Sequence, residues 1–192
     1  MKHKTKNLRA TGVQTRILAA HLTTRTIDSP VGNLCAFASG GELVGLAFPS
    51  NAEAVTRELA RRDYRTADHP RRDLDELLLD EVERQLDLYF TGKLRKFELP
   101  IRTSGTAFQE SIWKSLRQLP WGTTTTYGDL ARNLKRPGSA RAIGMANARN
   151  PIAIIIPCHR VTGARNKIKG FAGGSAAVRG LLAIERISEG LP

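Results

Sequence analysis

Cysteine, histidine and long apolar runs are all scarce in this chain. Only Cys35, Cys158 and four histidines (His3, His21, His69 and His159) occur in 192 residues. That is too few for a disulfide framework or a zinc site, so both cysteines are expected as thiols and no metal is expected. No apolar run approaches the roughly 18 residues of a membrane span. The short Ile17-Leu18-Ala19-Ala20 after the basic start is too little for a secretory core. A cytoplasmic protein with no membrane partner is the expectation. Disorder-like bias is absent as well: 41% hydrophobic and 25% charged residues suit one large or two small cored domains.

Acids are missing from particular stretches rather than everywhere. Residues 1–27 hold six Lys/Arg and no acid, residues 28–100 hold ten against fourteen acids, and residues 101–192 hold fourteen against four. The net charge of +12 therefore sits at the start and in the C-terminal half, as expected if one domain meets a polyanion and the other does not. Residues 1–20 read as a basic flexible arm, 21–100 as an N-terminal α/β domain and 101–192 as a second domain, with the joint near Thr103-Ser104-Gly105.

In the first of these domains, Leu22–Ile27, Leu34–Ala38 and Leu43–Phe48 are separated by turn residues and read as an antiparallel meander. Cys35 falls in its middle strand as a small core thiol. Helical spacing follows over Asn51–Arg61 and Asp75–Tyr89, the latter with Leu78, Val82, Leu86 and Tyr89 in one stripe. Beyond the joint, Thr106 with Gln109 signals a capped helix that Pro120 stops, and Thr126 with Asp129 signals a second. Arg136-Pro137-Gly138 breaks that helix, and Ser139 is placed to cap a third that runs to about Ala148. Two short helices across a turn are compatible with a helix-turn-helix. On the third helix Ala142, Ile143 and Ala146 share one side; Arg141, Gly144, Met145, Ala148 and Arg149 share the other, a small-residue face ending in cations that suits close approach to nucleic acid.

The chemistry gathers at the stretch Pro157-Cys158-His159-Arg160. Ile152–Ile156 has the length and branching of a buried strand, which would deliver Cys158 at its exposed end. A thiol with an ordinary pKa of about 8.5 becomes a strong nucleophile when a base or cation lowers it. His159 and Arg160 are the nearby groups. Adjacent residues on an extended segment face opposite ways, so His159 acting as base calls for a bridging water. In the last helix, Ala176–Ile187, Glu185 shares a stripe with Val178, Leu181 and Leu182. A carboxylate there either orients His159 or reaches water at the stripe's edge, and spacing leaves both readings open. The loop Gly170-Phe171-Ala172-Gly173-Gly174 permits backbone approach to a planar ligand.

Together, Asn150-Pro151 with the Ile run and Pro157-Cys158-His159-Arg160, Tyr127-Gly128, Arg141-Ala142-Ile143-Gly144 and the glycine loop resemble the O6-alkylguanine-DNA alkyltransferase family. The resemblance is dense over about residues 105–187 and looser over His21–Pro100. It implies an α+β fold, with an N-terminal ribonuclease-H-like antiparallel sheet and a C-terminal helical, winged-helix-like domain containing the helix-turn-helix. It also implies a single-turnover DNA repair reaction, the transfer of an alkyl group from O6 of guanine in DNA to Cys158 after nucleotide flipping, with O4-alkylthymine as a second substrate. No cofactor is implied. By the same resemblance His159 deprotonates Cys158 through water, Glu185 orients His159, Asn150 supports the turn, and Tyr127 helps flip the nucleotide and donates a proton. Arg141 fills the gap in the base stack, while Ala140, Gly144 and Met145 lie in the minor groove of double-stranded DNA. Val161, Ala172, Gly173 and Ala153 surround the base. The protein is expected as a monomer, with cooperative binding along DNA left open.

Departures from the family pattern qualify this. Phe171 stands where Tyr is common, Ala153 replaces a bulkier Pro, and Gly173 is taken as unobstructed, so a roomier pocket tolerant of larger alkyl groups is expected. Val178-Arg179-Gly180 departs on the last helix. The N-terminal half lacks the cysteine cluster that accepts methyl groups from phosphotriesters, which leaves one activity. Two rivals differ in what they predict: a helix-turn-helix regulator would bind reversibly without gaining mass, and a Cys-His-Glu hydrolase would turn over without DNA.

Overall fold

The computed structural model describes residues 22–61, 72–164 and 171–185. The arm expected over residues 1–20, Gly170 of the glycine loop and Ile187 at the end of the last helix lie outside them. The fold is mixed α+β. It opens with three antiparallel strands, β1 (Thr23–Ile27), β2 (Leu34–Ser39) and β3 (Glu42–Ala47), in the order β1-β2-β3. β1 alternates half-buried and exposed positions up to the buried Ile27, whereas every residue of β2 is buried, so the middle strand is covered on both faces.

Two helices supply that cover. α1 (Pro49–Arg61) lays Val55 and Leu59 against Cys35, Phe37, Val44 and Ala47, a small cluster on one face of the sheet. α2 (Arg72–Phe90) brings Leu78, Leu79, Val82, Leu86 and Tyr89 to the other face, against Leu34, Ala36, Leu43 and Leu46. This second cluster does not stop at the first hundred residues. It continues through Ile112, Trp113, Leu116, Ile143, Ile152 and Leu181, so one core runs through both halves of the chain. Each fully buried Leu or Ile contributes about 1.5–3 kcal/mol, which makes the shared core the main bond between the halves.

The C-terminal half is built from α3 (Ala107–Leu116), β4 (Thr125–Thr126), α4 (Tyr127–Asn133), α5 (Ala140–Ala148), β5 (Val161–Thr162) and α6 (Gly174–Ile184). The capping box of α3 is present in both directions: the Gln109 N–H donates to the Thr106 hydroxyl at 3.3 Å, and the Thr106 N–H donates to the Gln109 side chain at 2.9 Å. Thr126 likewise accepts from the Asp129 N–H at the start of α4. Ser139 precedes α5 without a side-chain cap bond, because its backbone is turned away from the extended conformation a capping hydroxyl requires. α3 ends at Leu116, before Pro120. α6 spans Gly174–Ile184, so Glu185 is the residue that closes the helix rather than a member of its interior stripe.

Residues 152–156 do not form the expected strand. Ile152 makes one bridge to Leu46 on the edge of β3, with Leu46 N–H to Pro151 O at 2.9 Å and Ala153 N–H to Leu46 O at 2.8 Å, and the chain then turns. Ile155 N–H closes onto Ala153 O at 2.8 Å around Ile154, whose φ is 70°. Cys158 N–H closes onto Ile156 O at 2.7 Å around Pro157, at φ −78° and ψ 65°. These are two γ-turns, the first of the rare strained hand. An isoleucine run suits a strand locally, but here Asn150 pins it into turns. The Asn150 side chain donates to Ile156 O at 2.9 Å and accepts from Ile152 N–H at 3.0 Å.

Candidate active site

The turns deliver Cys158, His159 and Arg160 as a short 3-10 helix, all three buried. Cys158 is 7% exposed, not presented at an open strand end. Burial pushes its thiol up to about 11, against hydrogen bonds from the Asn150 side chain and from the N–H groups of Cys158 and His159. The resting sulfur is therefore a protonated thiol near neutral pH, contrary to the expectation of a lowered pKa.

Glu185 settles its two readings, being 1% exposed and fully engaged. Its Oε1 meets His159 Nε2 at 2.9 Å, Arg160 Nη2 at 2.8 Å and the Tyr89 hydroxyl at 2.8 Å. Its Oε2 accepts from Arg160 Nε at 2.8 Å and from the Gly122 N–H at 3.4 Å. Burial alone would raise this carboxyl, but the bonds from His159 and Arg160 outweigh it and hold it at about 2. An ionised carboxylate only accepts, so Nε2 carries the His159 proton and Nδ1 keeps its lone pair. Nδ1 is buried and has no hydrogen-bond partner among the described residues. Burial lowers the His159 pKa below its ordinary value despite the pull of Glu185, so the ring is a neutral base. Arg160 does not serve Cys158: its guanidinium is spent on Glu185 and on the Leu119 carbonyl at 2.6 Å.

Tyr127 opens α4 immediately after its Thr126 cap, and its hydroxyl accepts from Asn147 Nδ2 at 3.1 Å. Burial, and then the proximity of Cys158, raise its pKa, so the phenol stays protonated. Tyr127, Asn147, Cys158, His159, Val161, Thr162, Phe171 and Val178 line a cavity of about 10 Å³. Among the expected site residues, Tyr127, Cys158, His159 and Val161 thus share one space, with Glu185 and Asn150 directly behind it.

Ala153, Ala172 and Gly173 do not line that cavity. Ala153 is held in the core at the edge of β3. Ala172 is exposed, and its carbonyl accepts from the Ser50 hydroxyl at 2.6 Å. Gly173 is obstructed rather than open, since a Cβ there would lie 2.8 Å from the Phe48 ring and 2.9 Å from Ala177. Its lack of a side chain serves close packing, so neither it nor Ala153 enlarges this cavity. On α5, Arg141 and Met145 (53% exposed) face outward, Ala140 is half-buried, and a Cβ at Gly144 would sit 3.8 Å from the Tyr127 ring. The buried side of this helix is Ile143, Ala146 and Asn147, with Ala142 exposed instead of inward.

Tyr89 and Asn147 belong to the site although no motif marks them. The signal for each was a polar group on an inward face: Tyr89 ends the apolar stripe of α2, and Asn147 falls four residues after Ile143.

Two family models match consecutive parts of the chain. The ribonuclease-like domain of 6-O-methylguanine DNA methyltransferase matches residues 22–103, and the DNA binding domain of the same enzyme matches residues 107–187. A methylated-DNA–protein-cysteine methyltransferase from Mycobacterium tuberculosis is 40% identical over 162 residues, 84% of this chain and 91% of that protein. One of the same name from Methanosarcina acetivorans is 49% identical over 105 residues, 55% of this chain and 67% of that protein. Among solved structures, Mycobacterium tuberculosis OGT in complex with DNA is similar with a TM-score of 0.68 and 38% identity, covering 85% of this chain and 92% of that one. A fold of ribonuclease-like and DNA-binding parts around a buried cysteine thus defines the class. The chain belongs to the methylated-DNA–protein-cysteine methyltransferase family, and its activity is that of the family, a direct repair of methylated DNA. Among the described residues no helix is long and apolar enough to cross a membrane.

Proposed function

We propose that the protein binds double-stranded DNA and takes the alkyl group of O6-alkylguanine irreversibly onto Cys158, with O4-alkylthymine as a second substrate. One observation carries this reading: a buried thiol shares a cavity with a neutral His159 whose other nitrogen is locked to Glu185. A thiol at about 11 must lose its proton as it attacks. His159 Nδ1 is the unoccupied base. A cavity of about 10 Å³ is the space of a single water molecule, so one water relaying the proton from Sγ to Nδ1 fits the geometry. The S–C bond forms as the C–O6 bond breaks. The bonding pair passes to the guanine, and the Tyr127 hydroxyl supplies a proton to the ring. Tyr127 recovers its proton from the imidazolium through solvent, so thioether and unmodified guanine are the only products and no co-reactant enters the balance.

A duplex base offers no line of attack to this sulfur, so the nucleotide rotates out of the stack at a cost of a few kcal/mol. α4 and α5, packed together across Arg136-Pro137-Gly138, act as the helix-turn-helix, in a DNA-binding and acceptor domain spanning residues 101–192. The outward face of α5 with Ala140, Gly144 and Met145 enters the minor groove, where small residues allow close approach and Arg141 fills the vacated position. Main-chain groups at Val161 and at Ala172, the neighbour of the cavity-lining Phe171, receive the base edge. A DNA complex of a 38% identical relative supports the partner, and monomeric action on cytoplasmic DNA completes the proposal.

Intact-protein mass spectrometry after incubation with an O6-methylguanine duplex tests it. One methyl equivalent mapped to Cys158, and none in Cys158→Ser, is expected. An unchanged mass, or a methyl group on Cys35, overturns it.

A further inference from the structure

We propose that Asn147 is a positioning residue for alkyl transfer, holding the Tyr127 hydroxyl oxygen so that its hydrogen points at the departing base. The inference rests on the assignment of Tyr127 as proton donor. Asn147 is 9% exposed on the inner face of α5 and lines the same cavity as Cys158 and His159. Its Nδ2 lies 3.1 Å from the Tyr127 oxygen. An amide nitrogen only donates, so Tyr127 accepts this bond and keeps its own hydrogen. No acceptor for that hydrogen is found among the described residues, which leaves it for a ligand in the cavity.

The opposite orientation of the amide has a physical cost. As it stands, Oδ1 is the buried amide atom without a partner. Turned over, Oδ1 would consume the Tyr127 hydrogen and both Nδ2 hydrogens, instead of one, would be without a partner, and a buried orphan N–H is tolerated less than an under-satisfied carbonyl oxygen. Donation to the phenol oxygen also stabilises the developing tyrosinate and so opposes the rise that burial imposes on Tyr127. Asn147 therefore acts on one event alone, delivery of a proton to the guanine as the C–O6 bond breaks. The proton enters the ring from Tyr127, the S–C bond is made by Cys158, and the thiol proton leaves through His159.

Reagents with different leaving groups separate this role from a structural one. Methyl iodide methylates Cys158 with loss of iodide, which needs no proton, whereas loss of guanine does. The variants are Asn147→Leu, which cannot donate, Asn147→Asp, which accepts only, Tyr127→Phe, and Tyr127→Phe combined with Asn147→Leu. Single-turnover transfer from an O6-methylguanine duplex should fall about tenfold in Asn147→Leu and further in Asn147→Asp, with duplex affinity unchanged. Methylation of Cys158 by methyl iodide should stay within about twofold of the unmodified protein, and Asn147→Leu should add nothing in the Tyr127→Phe background. Transfer at the original rate in both Asn147 variants, an equal loss with methyl iodide, or additive losses in the double variant would each overturn the inference. If thermal unfolding shows that Asn147→Leu does not fold, Asn147→Asp carries the same comparisons. Tyr127→Phe reacting at the original rate sinks the assignment of Tyr127 itself, whereas a slow Tyr127→Phe beside fast Asn147 variants sinks only the role of Asn147.

Discussion

Glu185 is a single buried charge with five hydrogen bonds, from Tyr89, Gly122, His159 and twice from Arg160. Glu185→Gln removes the charge and leaves the Arg160 guanidinium buried without a counterion. A loss of about 3–5 kcal/mol in urea unfolding is expected, together with slower transfer. The pH dependence has a definite sign. The carboxyl is held at about 2 against an ordinary 4.5, so its contribution is complete above pH 4.5 and disappears as pH falls toward 2. His159, also depressed, adds a loss that begins below its ordinary 6.5, because the unfolded chain takes up a proton that the folded ring refuses. Cys158 acts at the other end: the unfolded thiol ionises first, so stability declines between pH 9 and about 11. Stability curves of Glu185→Gln should lack the lowest part of the acid loss, and curves matching the unmodified protein there would contradict this assignment.

At the scale of elements, the segment that carries the nucleophile depends on one side chain more than on its own preference. Asn150 bonds two buried main-chain groups that bracket the first γ-turn, the Ile152 N–H and the Ile156 carbonyl, and also bonds the sulfur. Asn150→Ala should cost about 1–3 kcal/mol by leaving the Ile152 N–H unpaired, the Ile156 carbonyl keeping its bond from the Cys158 N–H, and should move the thiol still higher. Titration of Cys158 by thiolate absorbance, beside urea unfolding, measures both effects. The same segment shows why the sequence was legible in some places and not in others. The caps at Thr106 and Thr126 are contacts within one helical turn, so local spacing reveals them. The meander and the stripes on α1 and α2 follow from period alone. The turns at 152–156 do not, because isoleucines favour a strand and are overruled by the Asn150 side chain, whose bonds to Ile152 and Ile156 no periodicity reveals. The site divides in the same way. Cys158, His159 and Tyr127 stand in readable motifs, whereas the partners that fix their chemistry, Tyr89 and Asn147, are brought in by tertiary packing.

At the scale of the whole molecule, the two halves are joined at more than their core. Tyr89 reaches from α2 to the Glu185 carboxylate, and Ser50, at the start of α1, bonds the Ala172 carbonyl. Gly180, a departure from the family pattern, also has a reason in this junction: a Cβ there would come within 2.9 Å of Val31, so the missing side chain lets α6 sit close against the N-terminal half. Within the N-terminal half Asp75 ties α2 to the β2–β3 turn, accepting from the Gly41 N–H at 2.6 Å.

The smallness of the space beside Cys158 has a consequence for the protein after it has worked. A thiol hydrogen and one relay water fit there; a methyl group on the sulfur takes the place of that water, and leaving His159 Nδ1 buried without it costs about 1–3 kcal/mol. The spent molecule should melt about 2–12 °C below the fresh one, a difference that calorimetry on the two forms would register and that equal melting points would refute. Repair would then write its own receipt: a molecule that has reacted is looser than one still waiting, and can be told apart by its fragility alone.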